Sequence, residues 1–307
     1  MDPTESFIRK RLEPGAGNPA SSGLYCREFL AHYENFTVGS LLFPRRLRPA
    51  LAAIYAFARF SDDLADEPGE LPPGLAPQDE IAFRLARLDH WTQMIRELPS
   101  GADRHPLLPA LVETLQRHAL PLSLLLDLLS AFRQDLVSPV HESRASLLDY
   151  CSRSADPVGR LILRLFGLDD PELDRLSDRI CTGLQLANFW QDLSRDLPVG
   201  RWTLPREDLL AHGLPTDLEG LRAAGNQLQP LLDSLTDWTG QLFDEGAPLL
   251  RRVPRRLSLE LALFLGGGRA ILEQVRWQGV DILWRRPHLS RGKKIRIGLA
   301  AAMGRGR

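Results

Sequence analysis

Residues 185–196, QLANFWQDLSRD, limit the possible folds of this chain more than any other segment. Four polar residues are spaced so that an α-helix would place them on one face: Gln185, Asn188, Asp192 and Asp196. The residues around them are mostly apolar, which is typical of a buried helix. Carboxylates in such surroundings need partners, most simply cations.

A second polar stripe of the same kind lies far upstream, in IYAFARFSDDLADE. Its members also share one helical face: Tyr55, Arg59, Asp62 and Asp66. Mg²⁺ binds through one or two carboxylates while substrate phosphates and water complete its shell. Two opposing helices that each carry Asp-x-x-x-Asp therefore predict a divalent-metal and diphosphate site, with Arg59 and Arg201 as forked donors to the diphosphate oxygens. Either motif alone could equally be a solvated acidic turn, but the presence of both favours the metal site.

Helical periodicity recurs along nearly the whole chain, and no strand-like alternation bounded by hairpin turns is present. Pro- and Gly-containing breaks separate the predicted helices, which cover residues 24–36, 44–66, 81–98, 107–120, 122–137, 147–166, 171–196, 218–250 and 257–284, with a short basic helix after Pro287. Pro157 should kink or restart the helix that contains it. The sequence predicts an all-α fold of about ten helices around a central apolar cavity: a flexible arm over residues 1–20 and one domain over residues 21–307.

Composition excludes several classes of protein. The hydrophobic content of 44% and the charged content of 25% are ordinary for a soluble globular protein. Cys26, Cys151 and Cys181 lie far apart, which argues against a disulfide framework or a zinc site and fits a reducing compartment. No apolar run reaches the length of a spanning helix and no signal peptide is evident, so we expect a cytoplasmic protein, or one that lies peripherally on the inner face of the membrane.

Charge is distributed unevenly along the chain. Residues 251–307 hold fourteen Lys and Arg against three acidic residues, a balance of +11, and the remainder carries −12. The absence of aromatic-interleaved basic motifs makes nucleic acid the least favoured partner. Two interpretations of the basic segment stay open: it contacts anionic lipid, or it folds back onto the acidic body or closes the diphosphate pocket.

Four stretches together resemble the squalene/phytoene synthases, the family of head-to-head trans-isoprenyl diphosphate synthases. They are YAFARFSDDLADE (55–67), YCSRSADPVGR (150–160), QLANFWQDLSRD (185–196) and GRWTLPRED (200–208). The resemblance implies an isoprenoid synthase fold. It also implies Mg²⁺, or alternatively Mn²⁺, held by Asp62, Asp66, Asn188, Asp192 and Asp196. Diphosphate would be handled by Arg59, Gln185, Asn188 and Arg201, and the reacting carbons would lie near Tyr55 and Tyr150.

Two departures from the family pattern resemble its hydroxysqualene synthase branch. Residues 32–36 read HYENF where two serines are usual, which makes Asn35 and Phe36 candidate substrate-binding residues, and Gly266–Gly268 stand where a Tyr is common. This resemblance implies Mg-dependent conversion of presqualene diphosphate to hydroxysqualene by ionisation, rearrangement and water capture, without a nicotinamide. The pathway neighbours in squalene and hopanoid biosynthesis would be a presqualene diphosphate synthase and a flavin-dependent reductase.

Two other functions stay open on the sequence. One is the head-to-head condensation of two prenyl diphosphates to squalene, phytoene or dehydrosqualene. The other is a catalytically silent helical assembly or binding protein, which the presence of all four aspartates disfavours. Tyr150 is the candidate for placing the water, and the alternative is that it only packs in the cavity wall.

Overall fold

The structure, a computed structural model, describes residues 43–66, 72, 75–98, 105–138 and 140–303. Within these residues it contains twelve α-helices and no β-strand, apart from one isolated bridge between Val140 and Trp202. The all-α prediction is therefore confirmed. The predicted arm over residues 1–20, the predicted helix over 24–36 and the candidates Asn35 and Phe36 lie outside the described residues.

The chain divides into two compact units. The first comprises the residues up to Ser138 together with Leu161–Leu168, and the second comprises Pro139–Arg160 together with the residues from Asp169 onward. The single domain over residues 21–307 and its central cavity stay predictions.

The first unit is built around α1 (Arg48–Asp66), which follows a 3-10 turn after Pro44. Three further helices pack against it or against each other: α2 (Glu80–Arg96), α3 (Leu108–His118) and α4 (Leu122–Val137). The buried face of α1 is rich in alanine and also carries Phe57, so neighbouring helices can approach closely. The helix boundaries lie within a few residues of those predicted from periodicity.

A buried polar bridge fixes α1 against α2. The indole N–H of Trp91 donates to Ser61 Oγ at 2.9 Å, and the Ser61 hydroxyl donates to the carbonyl of Phe57 at 2.7 Å. Both side chains are fully buried, so this bridge sets the rotation of α1 about its axis. The same rotation directs Asp62, the next residue, to the polar side of the helix.

A break separates α5 (Arg144–Ser154) from α6 (Asp156–Leu165), as Pro157 predicts. Ser143 begins α5 with a capping box, in which its hydroxyl accepts from the Ser146 N–H and the Ser146 hydroxyl accepts from the Ser143 N–H. The cap fixes where α5 starts and therefore which of its side chains, including Tyr150, point inward.

The long helix α7 (Pro171–Asp196) is the core of the second unit. Asp170 caps it by accepting from the Glu172 N–H, and Pro171 occupies its first turn. The other helices of this unit are α8 (Arg206–Ala211), α9 (Leu218–Ala224), α10 (Gln229–Gly246), α11 (Arg255–Gln278) and α12 (Arg291–Ala302). Helix α7 packs mainly against α10 and α11.

Glycine explains two differences from the predicted helices. The predicted helix over 218–250 is interrupted at Gly225, whose φ of 58° is left-handed, and a 3-10 turn follows. Gly279, also at φ 58°, ends α11 before the predicted boundary at residue 284. The predicted loop after α7 contains the short helix α8, whose six residues are too few to show a periodic pattern.

Candidate active site

The acidic stripe of α1 is tied together by Arg59. Its Nη1 donates to Asp62 Oδ2 at 2.7 Å, and its Nη2 lies 2.5 Å from Asp63 Oδ1. Asp63, which the sequence analysis did not assign to the site, therefore shares this guanidinium. Tyr55 lies on the same helix and is half-buried, and Asp66 is exposed at the end of the helix.

Negative charge is in excess around Asp62. The pKa of Asp62 is raised to about 6, mainly by burial and next by the charge of the neighbouring Asp66, whereas Arg59 acts to lower it. Asp63 and Asp135 of α4 also act to raise this pKa. One arginine thus offsets only part of the repulsion, and an additional cation at this stripe would relieve the rest.

The second acidic stripe lies on α7, where the predicted geometry is only partly found. The apolar neighbours Leu186, Phe189 and Leu193 are buried, as expected. The stripe itself is more accessible than predicted: the Asp192 side chain is 23% exposed, Asn188 is exposed, and Gln185 and Asp196 are half-buried. The helix is therefore amphipathic, and its carboxylates lie on the side that a ligand can reach.

Arg286 binds the carboxylate of Asp192 in a forked arrangement. Its Nη2 donates to Asp192 Oδ2 at 3.0 Å, and its Nε donates to Asp192 Oδ1. Gln191 joins the contact, since its Oε1 accepts from Arg286 at 3.3 Å and its Nε2 donates to the Pro287 carbonyl at 2.7 Å. The hydrogen bond to Asp192 raises the pKa of Arg286. A cation from the basic segment thus occupies one predicted metal ligand.

The sequence analysis did not single out Arg286. One of the two interpretations left open, that the basic segment folds back onto the acidic body, describes this contact, because Asp192 lies outside residues 251–307. Lys293 of α12 instead pairs within the basic segment, with its Nζ 2.9 Å from Glu273 Oε2. The sequence shows that the segment is basic. No residue spacing within it indicates which basic side chain pairs with which carboxylate.

Tyr150 and Arg201, both predicted site residues, are brought together in the second unit. Arg201 Nη2 donates to the Tyr150 hydroxyl at 3.4 Å, and the backbone N–H of Arg201 donates to the Asp196 carbonyl at 3.0 Å. The ring of Phe189 lies 5.8 Å from that of Tyr150 and 6.0 Å from the Arg201 guanidinium carbon. The loop after α7 therefore places a cation beside a buried aromatic pair.

His141 completes this aromatic cluster, and the sequence analysis missed it. Its ring lies 5.3 Å from Tyr150 and 6.3 Å from Phe189. Burial, together with the positive charges of Arg201 and Arg153, lowers the pKa of His141 to about 4, so the imidazole is neutral at neutral pH. A single histidine in a loop carries no spacing signature, so the sequence offered nothing to select it.

Cys151 follows Tyr150 on α5 and is fully buried. Burial raises the pKa of its thiol, and the nearby Asp156 raises it further. The thiol therefore stays protonated.

The donor set suits a hard divalent cation that is shared with a substrate. Within the described residues, no group of three or more His, Cys, Asp or Glu side chains is placed to hold a metal ion. Each stripe instead offers two carboxylates, Asp62 with Asp66 and Asp192 with Asp196, which is the number that Mg²⁺ uses when phosphate oxygens and water supply its other ligands. Asp62 and Asp192 each already bind a guanidinium group, that of Arg59 and that of Arg286.

Comparisons with known proteins agree on the family that this chain resembles. The family described as squalene/phytoene synthase matches residues 30–293. The hydroxysqualene synthase of Sinorhizobium fredii is 33% identical over 286 residues, 92% of this chain and 92% of that enzyme. The phytoene synthase of Mycobacterium tuberculosis is 29% identical over 271 residues, 87% of this chain and 86% of that enzyme.

A solved structure extends the agreement to the fold. The squalene synthase HpnC from Alicyclobacillus acidocaldarius superimposes with a TM-score of 0.76 at 40% sequence identity, covering 84% of this chain and 94% of that chain. The predicted isoprenoid synthase fold is thereby confirmed.

Proposed function

The chain belongs to the squalene/phytoene synthase family and is a prenyl-transferring enzyme, and on this premise we propose that it converts presqualene diphosphate to hydroxysqualene in squalene and hopanoid biosynthesis. The observation that carries the proposal is the similarity to a hydroxysqualene synthase over 92% of both chains. The two departures at residues 32–36 and Gly266–Gly268 support the same branch. A presqualene diphosphate synthase and a flavin-dependent reductase would then act before and after it.

We assign the metal ligands to the two acidic stripes. Asp62 and Asp66 of α1, and Asp192 and Asp196 of α7 with Asn188, would hold Mg²⁺, with Mn²⁺ as an alternative. When bound, the metal would neutralise charge that develops on the departing diphosphate. No nicotinamide is expected, since water rather than hydride ends the reaction.

The chain's own residues bind the substrate and shape its path. Arg59, Gln185 and Arg201 would bind diphosphate oxygens, with the arginines as forked donors. Tyr55 and the buried Tyr150 would face the hydrocarbon. Loss of diphosphate leaves a cyclopropylcarbinyl cation, the ring opens to an allylic cation, and water adds to it. Apolar side chains and aromatic faces exclude other water and stabilise the positive charge.

Product analysis tests the proposal. We expect the purified enzyme, supplied with presqualene diphosphate and Mg²⁺ but no NADPH, to release diphosphate and form hydroxysqualene. Asp192→Ala should lower turnover by at least about a hundredfold while its circular dichroism spectrum stays helical, because the substitution removes a proposed metal ligand but leaves the helices in place. Unchanged turnover in Asp192→Ala would remove the metal assignment.

One competing reaction belongs to the same family. Similarity to a phytoene synthase at 29% identity favours condensation of two prenyl diphosphates as the second candidate. Farnesyl diphosphate supplied alone separates the two candidates, since only a condensing enzyme makes a C30 product from it. Rapid formation of that product would replace our proposal with the condensation reaction.

We also propose a peripheral membrane contact through α12. No helix in the described part of the chain is long and apolar enough to cross a bilayer. On α12, however, Ile295, Leu299 and Met303 are spaced four residues apart and are 64%, 58% and 60% exposed. The exposed cations Arg291, Lys294 and Arg296 flank this stripe and form no ion pair within the described residues. An apolar stripe between cations fits the surface of an anionic bilayer, which would also hold the C30 substrate.

Sedimentation with liposomes tests this contact. We expect the enzyme to bind vesicles that contain phosphatidylglycerol, to bind pure phosphatidylcholine weakly, and to be released by salt. The double variant Ile295→Glu with Leu299→Glu should lose binding. Leu210→Glu on α8 is the matched control, because Leu210 is 61% exposed but has no basic flank of this kind. Equal binding to both lipids, or no loss in the double variant, would disprove the contact.

A further inference from the structure

A buried nitrogen without a partner lies in the aromatic cluster around Tyr150. Among the described residues, Nδ1 of His141 has no hydrogen-bond partner, and the side chain is only 4% exposed. An unpaired buried polar atom costs about 1–3 kcal/mol, and most such atoms in folded proteins are paired. A bound water or ligand is therefore expected to complete the hydrogen bonding of this nitrogen.

The backbone of His141 is fixed on both sides. Its N–H donates to the carbonyl of Trp202 at 3.3 Å, and its carbonyl accepts from the N–H of Arg206 at 3.0 Å. The next residue continues the contact, since the carbonyl of Glu142 accepts from the N–H of Glu207 at 3.0 Å. These bonds hold the imidazole inside the cluster, so the unpaired nitrogen does not result from a loose loop.

The surroundings of His141 are mainly aromatic. The ring centres of Tyr150 and Phe189 lie 5.3 and 6.3 Å from that of the imidazole, and aromatic rings can stabilise positive charge without reacting. The charged groups near His141 are Arg201 and Arg153, both of which oppose its protonation. The cluster therefore combines aromatic faces with one neutral nitrogen that can accept a proton.

We propose that Nδ1 of His141 holds the water molecule that captures the carbocation and takes the proton that this water loses. The role deepens the proposed function and rests on it. In the neutral tautomer with its hydrogen on Nε2, the imidazole has a lone pair on Nδ1 to accept a hydrogen bond from water. His141 would then be a catalytic residue, and Tyr150 would form the aromatic wall beside it.

The step balances without a further reactant. A lone pair of the water oxygen forms the new carbon–oxygen bond, and the protonated alcohol passes one proton to Nδ1. The imidazolium returns this proton to solvent when the product leaves, so no electrons are gained or lost. A weakly basic imidazole is sufficient, because a protonated alcohol is a strong acid.

The share of alcohol among the products tests the role. His141→Phe keeps an aromatic ring but has no acceptor, so we expect the alcohol share to fall by about tenfold or more, with a hydrocarbon in its place. Diphosphate release should stay within about threefold of wild type, because ionisation does not use this residue. His141→Asn, which offers an acceptor near the position of Nδ1, should restore part of the alcohol share.

One variant serves as the control, and two different results would contradict the proposals. His105→Phe removes another buried histidine, one whose pKa is also lowered to about 4 by burial, and should leave the alcohol share unchanged. His141→Leu serves as a second variant without an acceptor if His141→Phe is not recovered folded. Wild type that forms alcohol while these variants keep the same alcohol share would overturn the role of His141 alone. Wild type that forms no alcohol from presqualene diphosphate would overturn the proposed function and this role together.

Discussion

At the scale of single residues, the pair of Arg286 and Asp192 gives a direct prediction. Both side chains are less than one third exposed, at 27% and 23%, and the contact is forked. Arg286→Gln leaves the Asp192 carboxylate without its charged partner, so we expect the metal-free protein to lose about 1–2 kcal/mol of unfolding free energy. Urea unfolding in EDTA measures this loss.

The neighbouring arginine provides the control for this experiment. Arg285 is exposed and its side chain forms no ion pair within the described residues, so Arg285→Gln removes the same charge without removing a contact. Equal destabilisation by the two substitutions would show that the pair with Asp192 contributes nothing.

Glu260 gives a residue-scale prediction about pH. It is 4% exposed on α11, and burial raises its pKa from 4.5 to about 8. Because the folded state favours the protonated form, stability from this group is fully present below pH 4.5 and is lost as the pH rises through about 8. The Glu260→Gln side chain is uncharged at every pH. Between roughly pH 5 and pH 9, the unfolding free energy of this variant should therefore rise relative to that of wild type by about 2–4 kcal/mol. Urea unfolding across this range measures the difference.

An exposed carboxylate is the reference for the pH experiment. Glu219 on α9 is exposed and forms no ion pair within the described residues. Glu219→Gln should therefore follow the wild-type pH dependence. A Glu260→Gln variant that also follows it would show that Glu260 ionises as easily folded as unfolded.

At the scale of helices, adjacent glycines of α11 should respond in opposite ways to alanine. A Cβ at Gly268 would lie 2.6 Å from Phe243 Cζ and 3.1 Å from Leu184 Cδ2, whereas a Cβ at Gly267 meets nothing within 4 Å. Gly268→Ala should cost about 1–3 kcal/mol through overpacking between α7, α10 and α11. Gly267→Ala should stabilise α11 by about 0.5–1 kcal/mol. Thermal unfolding of both variants measures these changes. A Gly268→Ala variant that is more stable than wild type would contradict the close packing at Gly268.

The helices also show how far the sequence could predict this molecule. Periodicity located α1, α4 and α7 almost to the residue, because each buries one continuous apolar face. It failed where a backbone conformation decides, as at Gly225 and Gly279, since glycine is also tolerated inside helices. The glycine run of α11, interpreted from resemblance as a mark of one branch, has at Gly268 a packing cause that only contacts reveal.

The candidate site meets the same physical limit. Asp62, Asp66, Asp192 and Asp196 were selected as candidate metal ligands because helical spacing within one segment places side chains on one face. Arg286 meets Asp192 from 94 residues away, and no local pattern encodes such a pairing. His141 was missed for a different reason: the role that we propose for it rests on a missing hydrogen bond, which a sequence does not display.

At the scale of the whole molecule, ligand binding should stabilise the folded chain. We expect Mg²⁺ and inorganic diphosphate together to raise the melting temperature more than the sum of their separate effects, because each completes the binding site of the other. A ligand at a hundred times its Kd adds about 2.7 kcal/mol to the unfolding free energy. Scanning calorimetry measures the shift, and Asp192→Asn should abolish the joint part. A variant that keeps the joint shift would contradict the metal assignment.

The buried thiol beside Tyr150 has a consequence for the lifetime of the enzyme. Sulfur is a soft nucleophile, and a thiol that met the proposed allylic cation would be alkylated to a thioether, which would end catalysis after a single event. Cys151 is fully buried, so its packing keeps the sulfur away from a cation at the proposed reaction surface, although it lies one residue from Tyr150. The number of turnovers that each enzyme molecule completes would therefore depend on the burial of a side chain that takes no part in the reaction.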